Sequence, residues 1–351
     1  MHHYIILQHP GHNKVYYQQS INIAISELSL ASKKFKHQLI DIEQKEIANI
    51  RYISFHYPEE LSSTEIEIIA KQSYIFAFYK VLNKNNEALL KPITLPSWTY
   101  VDDKISSLLK YGGKTNELFT KMMVNVGLLA SNFSYEDNIN ILDPIAGRGT
   151  TLYEAAIYGY NAYGVELDAK SVHDTNIFFK KFLEQEKLKH STEKRKYTSK
   201  SKTQQPTMLA FEYTNDKLLF KDENKRKQFG VVNGNTIEAG LYFKKNKFHL
   251  IVGDLPYGVA HGNKKKSHHE NITRSPLALI TDALPSWDKI LKKGGIIVLA
   301  WNVNVLAKHK VVSVLEKANY EELTSKETNC LNFLHKVDQS INRDIIIAKK
   351  K

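Results

Sequence analysis

Apolar strand-like runs alternate with helical patterns through residues 111–351, and this alternation constrains the fold more than any other feature of the sequence. The runs are Asn138 to Asp143, Ala162 to Glu166, Gly230 to Asn233, Phe248 to Asp254, Gly295 to Trp301 and Asp344 to Ala348. Strands that are separated by helices pair in parallel through right-handed crossovers. The pattern therefore predicts an α/β domain whose mainly parallel sheet is covered by helices on both faces.

Residues 1–110 predict a second, smaller α/β domain. Strand-like runs at Tyr4 to Gln8 and Ile47 to His56 flank a helical stretch. A further helix has a well-marked start, because Ser62 and Glu65 have the spacing of a capping box. We place the domain boundary near residue 110.

A formal net charge of +12 indicates a polyanionic partner such as nucleic acid. The stretch from Lys180 to Gln228 holds 14 Lys or Arg against 7 Asp or Glu. Within it we define a basic insertion at about residues 184–228. Two interpretations stay open: it extends a phosphate-binding surface, or it is a solvated and partly disordered stretch.

Several classes of protein and site are not expected. Cys330 is the only cysteine, which excludes an internal disulfide and a cysteine-built zinc site, and we expect no metal. No run of about 18 apolar residues predicts a membrane span. The stretch from Met1 to Gln8 lacks the basic lead and apolar core of a signal peptide, so we expect a cytoplasmic location.

The run from Ile141 to Thr151 takes an apolar strand through a glycine turn into a helix. Gly147 and Gly149 let the backbone approach a ligand closely, and the following helix offers free amide groups at its start. A dinucleotide-binding turn would have a third glycine where this chain has Leu152. The turn therefore predicts a cofactor site and argues against the dinucleotide alternative.

An acidic residue, Glu166, ends the next strand-like run. In open α/β sheets an acid at this position accepts hydrogen bonds from ribose hydroxyls. Asp168 begins the next helical run and is predicted to cap that helix. The alternative is that Asp143 and Glu166 are ordinary strand-end residues.

The segment Asp254, Leu255, Pro256, Tyr257 follows a buried strand-like run at its carboxyl end, where sheets of this kind bind ligands. An exocyclic amine on a base is a poor nucleophile, because its lone pair is delocalised into the ring. Asp254 and the Leu255 carbonyl can draw the amine hydrogens and accept the released proton, while Tyr257 can stack on the base. A simple polar turn is the alternative. The order of the three motifs favours the catalytic interpretation.

The run from Asp143 to Thr151 resembles the cofactor motif of class I methyltransferases that modify amino groups, where an Asp-Pro pair precedes a short glycine turn. The resemblance implies a Rossmann-like fold with a mainly parallel seven-stranded sheet, and S-adenosylmethionine as cofactor. The cofactor-binding residues that it implies are Asp143, Pro144, Gly147, Gly149, Thr150, Glu166, Asn235 and Asp254. Asn235 stands where the family has an acid near the adenine, and an amide can still hydrogen-bond to the adenine amino group.

The segment from Asp254 to Tyr257 resembles the Asp/Asn-Pro-Pro-Tyr/Phe motif of amino methyltransferases, with Leu255 in place of the first proline. The form Asp-x-Pro-Tyr-Gly is similar to the tRNA guanine-N2 methyltransferases that carry THUMP domains, and the likeness covers roughly residues 111–351. It implies methyl transfer to N2 of a guanosine in tRNA. It also implies phosphate contacts by Lys264, Lys265 and Lys266, and RNA binding by the N-terminal domain.

Three other functions stay open at this point. The first is methylation of adenine N6 in DNA or ribosomal RNA, because the motif is specific for an amino group and not for one particular base. The second is a non-catalytic nucleic-acid-binding protein with this fold. The third is a small-molecule methyltransferase, for which the basic charge has no purpose. The stretch from Val337 to Asp344 also resembles the guanine group, with no role that we can assign.

Overall fold

The computed structural model describes residues 1–11, 14–84, 87–109, 111–200, 205–257, 275–324 and 331–351. Two β-sheets and the helices packed on them make up this part of the chain. The predicted α/β class is confirmed, and so is a separate N-terminal sheet domain. None of the helices in these ranges combines the length and the apolar composition that a membrane span requires.

The N-terminal domain is built on an antiparallel sheet with the order β2-β3-β1-β4-β5. Its strands are β1 (His2–Gln8), β2 (Ile40–Ile47), β3 (Ile50–Tyr57), β4 (Ile75–Lys84) and β5 (Glu87–Ile93). Its helices are α1 (Lys14–Gln19), α2 (Ile21–Ser32) and α3 (Ser63–Ala70), and the short α4 (Lys104–Leu108) follows. The predicted capping box is confirmed, because Ser62 and Glu65 each accept a hydrogen bond from the backbone N–H of the other.

The larger sheet has ten strands among the described residues, so the predicted count of seven is wrong. They are β6 (Asn140–Asp143), β7 (Asn161–Glu166), β8 (Lys189–Lys196), β9 (Thr207–Thr214), β10 (Lys227–Asn233), β11 (Phe248–Asp254), β12 (Leu291–Asn302), β13 (Tyr320–Glu322), β14 (His335–Lys336) and β15 (Asn342–Lys350). The central strands β12, β11, β6, β7 and β10 pair in parallel in this order. Antiparallel strands extend both edges, so the sheet is mixed.

The basic insertion supplies two of the strands that the sequence did not predict. β8 and β9 form an antiparallel hairpin, and β9 pairs with β10 at the edge of the sheet. β8 is polar and mostly exposed, so no apolar run marks it as a strand. β8 and β9 are regular strands, so the interpretation of the insertion as partly disordered does not apply to them.

Helices cover both faces of the larger sheet, as predicted. The helices on one face are α5 (Glu117–Ala130), α6 (Thr150–Ile157) and α7 (Ala169–Gln185), and their buried residues belong to one apolar cluster. The helices on the other face are α8 (Ala239–Tyr242), α9 (Pro276–Ile290) and α10 (Lys308–Lys317), which belong to a second cluster. The first cluster continues into the N-terminal domain, so the two domains share a core.

A buried carboxylate joins the two domains. Glu27 on α2 is fully buried and accepts hydrogen bonds from the Ser73 N–H at 2.9 Å and from the Asn125 amide of α5 at 2.6 Å. Asn125 in turn accepts a hydrogen bond from the Tyr135 hydroxyl at 2.5 Å. Burial raises the pKa of Glu27. These bonds satisfy polar groups that would otherwise be costly inside the shared core.

Replacing Glu27 with alanine leaves the Ser73 N–H and the Asn125 amide buried without their acceptor. We expect Glu27→Ala to lower the free energy of unfolding by about 2–4 kcal/mol, since each unsatisfied buried donor costs ~1–3 kcal/mol. Glu27→Gln, which keeps one acceptor oxygen, should lose less. The exposed Glu46→Ala is the control and should change it by less than about 0.5 kcal/mol. Urea titration followed by tryptophan fluorescence measures all three, and equal effects of Glu27→Ala and Glu46→Ala would contradict this account.

Candidate active site

A cavity of about 350 Å³ lies at the carboxyl edge of the parallel strands, and we call it the cofactor cavity. β6, β7, β10 and β11 all end there, because parallel strands place their carboxyl ends at the same edge. The predicted cofactor residues that line it are Pro144, Glu166, Asn235 and Asp254. The fold therefore brings together residues from four separate strand ends.

Apolar side chains that were not among the predicted site residues also line the cofactor cavity, and they include Leu167, Ile237 and Leu279. Leu167 is 54% exposed, a large fraction for a leucine beside a cavity. Such side chains can contact the faces of a heterocyclic ring. Their positions in the sequence could have identified two of them. Leu167 directly follows Glu166, and Ile237 lies two residues after Asn235.

Glu166 binds the backbone of the glycine turn through its carboxylate. One carboxylate oxygen accepts a hydrogen bond from the Gly147 N–H at 2.8 Å, and the other accepts one from the Asp168 N–H at 2.7 Å. Burial raises the pKa of Glu166. Asp168 caps α7 as predicted, because its side chain accepts a hydrogen bond from the Ser171 N–H at 3.0 Å. The two acids therefore have different positions, and only Glu166 lines the cavity.

The other predicted cofactor residues lie beside the cavity and not on its lining. Asp143 is only 4% exposed and accepts a hydrogen bond from the Ile145 N–H at 3.0 Å. Burial, with a smaller effect of the nearby Glu166 and Asp254 carboxylates, raises the pKa of Asp143 to about 7. Gly149 precedes α6 with a φ of 84°, a left-handed conformation that suits glycine. The side-chain hydroxyl of Thr150 lies 3.3 Å from the Tyr111 hydroxyl.

Asn235 lines the cofactor cavity, and its side chain also caps a short helical turn. Its side-chain oxygen accepts a hydrogen bond from the Ile237 N–H at 3.1 Å and so caps the short helical turn that follows. The backbone N–H of Asn235 donates to the Tyr242 hydroxyl at 3.2 Å. The side-chain oxygen is therefore engaged, and the predicted adenine contact would fall to the side-chain NH₂ group.

Asp254 ends β11 and is the centre of a hydrogen-bond network. The Tyr257 hydroxyl donates to both of its carboxylate oxygens at 2.7 Å. The Thr115 hydroxyl donates to one of them at 2.8 Å. Burial raises the pKa of Asp254, while Arg343, Tyr257 and Thr115 oppose the rise. A carboxylate in this setting can exchange its present donors for hydrogens of a bound amine.

The two residues between Asp254 and Tyr257 differ in their surroundings. Leu255 is 1% exposed and packs in the core, and its N–H donates to the Ala300 carbonyl on β12 at 2.8 Å. Pro256 is exposed and lines the cofactor cavity. The Leu255 side chain therefore anchors the segment, and its carbonyl stays the predicted acceptor for an amine hydrogen.

Arg343 is part of this network, although no role for it was predicted from the sequence. It lies at the start of β15, within the segment from Val337 to Asp344, and donates a hydrogen bond to the Tyr257 hydroxyl at 3.0 Å. Its Nη1 atom is 3.6 Å from a carboxylate oxygen of Asp254. β15 runs antiparallel to β12, so its first residues lie at the carboxyl edge of the parallel strands. That reversal is the signal that could have identified Arg343.

A second cavity, of about 360 Å³, lies on the other side of Tyr257, and we call it the acceptor cavity. Its lining includes Lys114, Thr115, Tyr257, Lys336, Ile341 and Arg343. Tyr16 of α1 also lines it, so the N-terminal domain contributes to its wall. Asp254 lines the cofactor cavity and Tyr257 the acceptor cavity, so the hydrogen bonds between these two residues link the cavities.

Lys264, Lys265 and Lys266 lie outside the described residues, and their predicted phosphate contacts stay a prediction. The exposed residues Lys189, Lys194 and Lys196 of β8 carry basic charge on the described part of the insertion. Among the residues that the structure describes, no group of three His, Cys, Asp or Glu is arranged to hold a metal ion.

A family model described as RMKL-like, methyltransferase domain, matches residues 128–324, more than half of the chain. No curated protein sequence matches the chain significantly. The family match spans β6 to β13 and so includes the cofactor cavity with Asp254.

Similar solved structures include a proposed RNA methyltransferase of Pyrococcus horikoshii, with 12% identity and a TM-score of 0.38 over 71% of this chain and 96% of that chain. TYW2 of the same organism, in complex with MeSAdo, has 11% identity and a TM-score of 0.36 over 77% of this chain and 70% of that chain. A TehB-like SAM-dependent methyltransferase from Corynebacterium glutamicum has 13% identity and a TM-score of 0.33 over 61% of this chain and 80% of that chain. These sequence identities and TM-scores are too low to support an assignment. The assignment of the chain to a family therefore depends on the family model alone.

The different positions of Glu166 and Asp168 predict different effects on cofactor affinity. Glu166→Ala removes the carboxylate from the cavity and should weaken binding of S-adenosylmethionine at least about tenfold, since a hydrogen bond to a charged group contributes ~1.5–3 kcal/mol. Asp168→Ala removes only the α7 cap, so it should lower the melting temperature and leave the affinity unchanged. Calorimetric titration measures the affinity of both variants. Weaker binding by Asp168→Ala than by Glu166→Ala would contradict the assignment.

Proposed function

This chain belongs to the family of RMKL-like methyltransferase domains, and on that premise we propose that it methylates the N2 amino group of a guanosine in tRNA. The family is one of RNA methyltransferases that use S-adenosylmethionine as methyl donor. The choice of guanosine N2 and of tRNA is supported by the segment from Asp254 to Tyr257, which resembles the tRNA guanine-N2 group in having Leu255 before the proline.

The cofactor cavity fits a cationic nucleoside. Asp143, Glu166 and Asp254 converge at the sheet edge, and burial raises the pKa of each, so the attraction of a bound cation would offset the cost of burying their negative charge. S-adenosylmethionine carries positive charge on its sulfonium and its ammonium group. Leu167 and Ile237 would contact the faces of its adenine ring.

Each part of the cofactor has residues that would hold it. Glu166 would accept hydrogen bonds from the ribose hydroxyls, and the Asn235 NH₂ group would bind the adenine edge. Asp143 and the backbone of Gly147 would bind the methionine moiety. When bound, S-adenosylmethionine supplies a sulfonium methyl group, whose carbon forms a bond to the amine nitrogen while the S–C electron pair returns to sulfur.

The single observation that carries the proposal is the position of Asp254 and Tyr257 between the two cavities. An amine that enters from the acceptor cavity would replace the Tyr257 hydroxyl as hydrogen-bond donor to Asp254. The carboxylate and the Leu255 carbonyl would then orient the amine hydrogens, so that the nitrogen lone pair points toward the cofactor cavity. Asp254 would take the proton that the nitrogen releases, and the Tyr257 ring would stack on the base.

The remaining RNA contacts are proposed from charge. Lys114 and Lys336 line the acceptor cavity, where they would neutralise phosphates beside the flipped nucleotide. Lys264, Lys265 and Lys266 and the basic insertion would extend this surface. We also propose that the N-terminal domain, residues 1–110, binds RNA, since its Tyr16 lines the acceptor cavity.

Incubation with labelled S-adenosylmethionine and separate pools of tRNA, ribosomal RNA and DNA tests the proposal. We expect label in tRNA, and a loss of at least about 100-fold in rate for Asp254→Asn, because the amide cannot take up the proton. Cofactor affinity of that variant should fall by a much smaller factor than the rate, because Asp143 and Glu166 keep two of the three carboxylates at the sheet edge.

Label in DNA alone, or in ribosomal RNA alone, would contradict the tRNA proposal and favour adenine N6. No label in any pool, together with no heat of cofactor binding in a calorimetric titration, would favour a non-catalytic nucleic-acid-binding protein. Unchanged activity of Asp254→Asn would exclude the proposed role of that residue.

A further inference from the structure

Arg343 is the most deeply buried charged group beside the site, with only 3% of its side chain exposed. Arginine is almost never buried to this extent unless its charge is paired. The paired groups here are those of the proposed amine-binding centre. The guanidinium donates a hydrogen bond to Tyr257 and forms an ion pair with Asp254.

The guanidinium is held in place from two further sides. Its central carbon lies 3.5 Å from the centroid of the Phe119 ring, a stacking contact that favours a planar cation. Its Nε–H donates to the Nε2 atom of His335 at 3.1 Å. His335 can accept this bond because its Nδ1–H donates to the Phe333 carbonyl at 2.8 Å, which fixes the neutral tautomer.

The neutral state of His335 has a physical cause. Burial, together with the adjacent Arg343 charge, lowers the pKa of His335 to about 3. The imidazole therefore stays an acceptor over the physiological pH range. Tyr16 from the N-terminal domain packs edge-on against both His335 and Phe119, at ring-centroid distances of 5.9 Å and 6.4 Å.

We propose that Arg343 is a positioning residue of the methyl-transfer site, whose buried guanidinium keeps Asp254 in the carboxylate form and orients Tyr257 through a hydrogen bond to its hydroxyl. This inference rests on the proposed function. Arg343 acts through Asp254 and Tyr257, and its stacking on Phe119 fixes the direction of its Nη1–H donors. Asp254 must be a carboxylate to accept the proton of the amine. Burial alone favours its protonated form, so a nearby cation is needed to keep it ionised.

Among the residues that the structure describes, no other charged group around Asp254 supplies this cation. Asp143 on β6 faces it with negative charge and favours protonation. Lys114, in the segment before α5, forms an ion pair with Glu117 at 3.6 Å. Thr115 and Tyr257 donate hydrogen bonds but carry no charge.

The pH dependence of kcat/KM tests the inference, because it reports the pKa values of essential groups in the free enzyme. In Arg343→Gln the carboxylate loses its cation, so the acidic limb of the profile should move toward alkaline pH by about one pH unit or more. Activity should recover as the pH rises. Arg343→Lys keeps the charge but not the planar fork, so its limb should stay near the original while kcat falls.

Lys308→Gln is the matched control. Lys308 also lies beside β15 and pairs with Asp344 at 3.5 Å, but it lines neither cavity of the site. The acidic limb of the kcat/KM profile of Lys308→Gln should stay at the pH of the original chain. A lower rate for Arg343→Gln at every pH, with the limb unmoved, would show a merely structural role and overturn the inference.

A second measurement does not depend on activity. In Arg343→Gln the folded-state pKa of Asp254 lies above its unfolded value, so stability should fall more steeply than in the original chain as the pH rises from about 4 to 8. Adding Asp254→Asn removes the carboxylate and should abolish this difference in melting temperature.

The same pair of variants decides the case in which Arg343→Gln does not fold. Folding of the double variant would then support the inference, and failure of both to fold would overturn it. Absence of methyl transfer by the original chain, with the stability difference present, would contradict the proposed function and leave the pairing of Arg343 with Asp254 supported.

Discussion

Negative charge is buried at the carboxyl edge of the parallel strands, and the arrangement of the site depends on how that charge is compensated. Glu166 binds backbone N–H groups of the glycine turn and of the next helix. Asp143 binds one backbone N–H, and Asp254 depends on the donors Thr115 and Tyr257 and on the cation of Arg343. The compensation is complete for none of the three, since burial raises the pKa of each. A bound cationic cofactor would complete it.

The acceptor side is built from distant parts of the chain. The segment before α5 contributes Lys114 and Thr115, and the β14–β15 region contributes Arg343. The N-terminal domain contributes Tyr16, and it is held against α5 by the shared core and by the Glu27–Asn125 hydrogen bond. The N-terminal domain is thus a structural part of the acceptor cavity.

Features that depend on local patterns could be predicted from the sequence. The central strands have apolar runs, the Ser62 capping box and the Asp168 cap follow from residue spacing, and the glycine turn lies between a strand and a helix. The β8–β9 hairpin could not, because an exposed edge strand has no apolar run. The position of Arg343 depends on the pairing of β15 with β12, in which it lies opposite Asn302. Only the reversal of the last strand indicates this position, and the reversal is a property of the whole sheet, not of the residues around Arg343.

The central claim is that Asp254 and Tyr257 present the exocyclic amine of a guanosine to a sulfonium methyl group. Digestion of tRNA that has been incubated with the protein and S-adenosylmethionine, followed by mass spectrometry of the nucleosides, tests this most directly. We expect N2-methylguanosine at a defined position. A methyl group on adenine N6, on a ring carbon or on a ribose oxygen would contradict it.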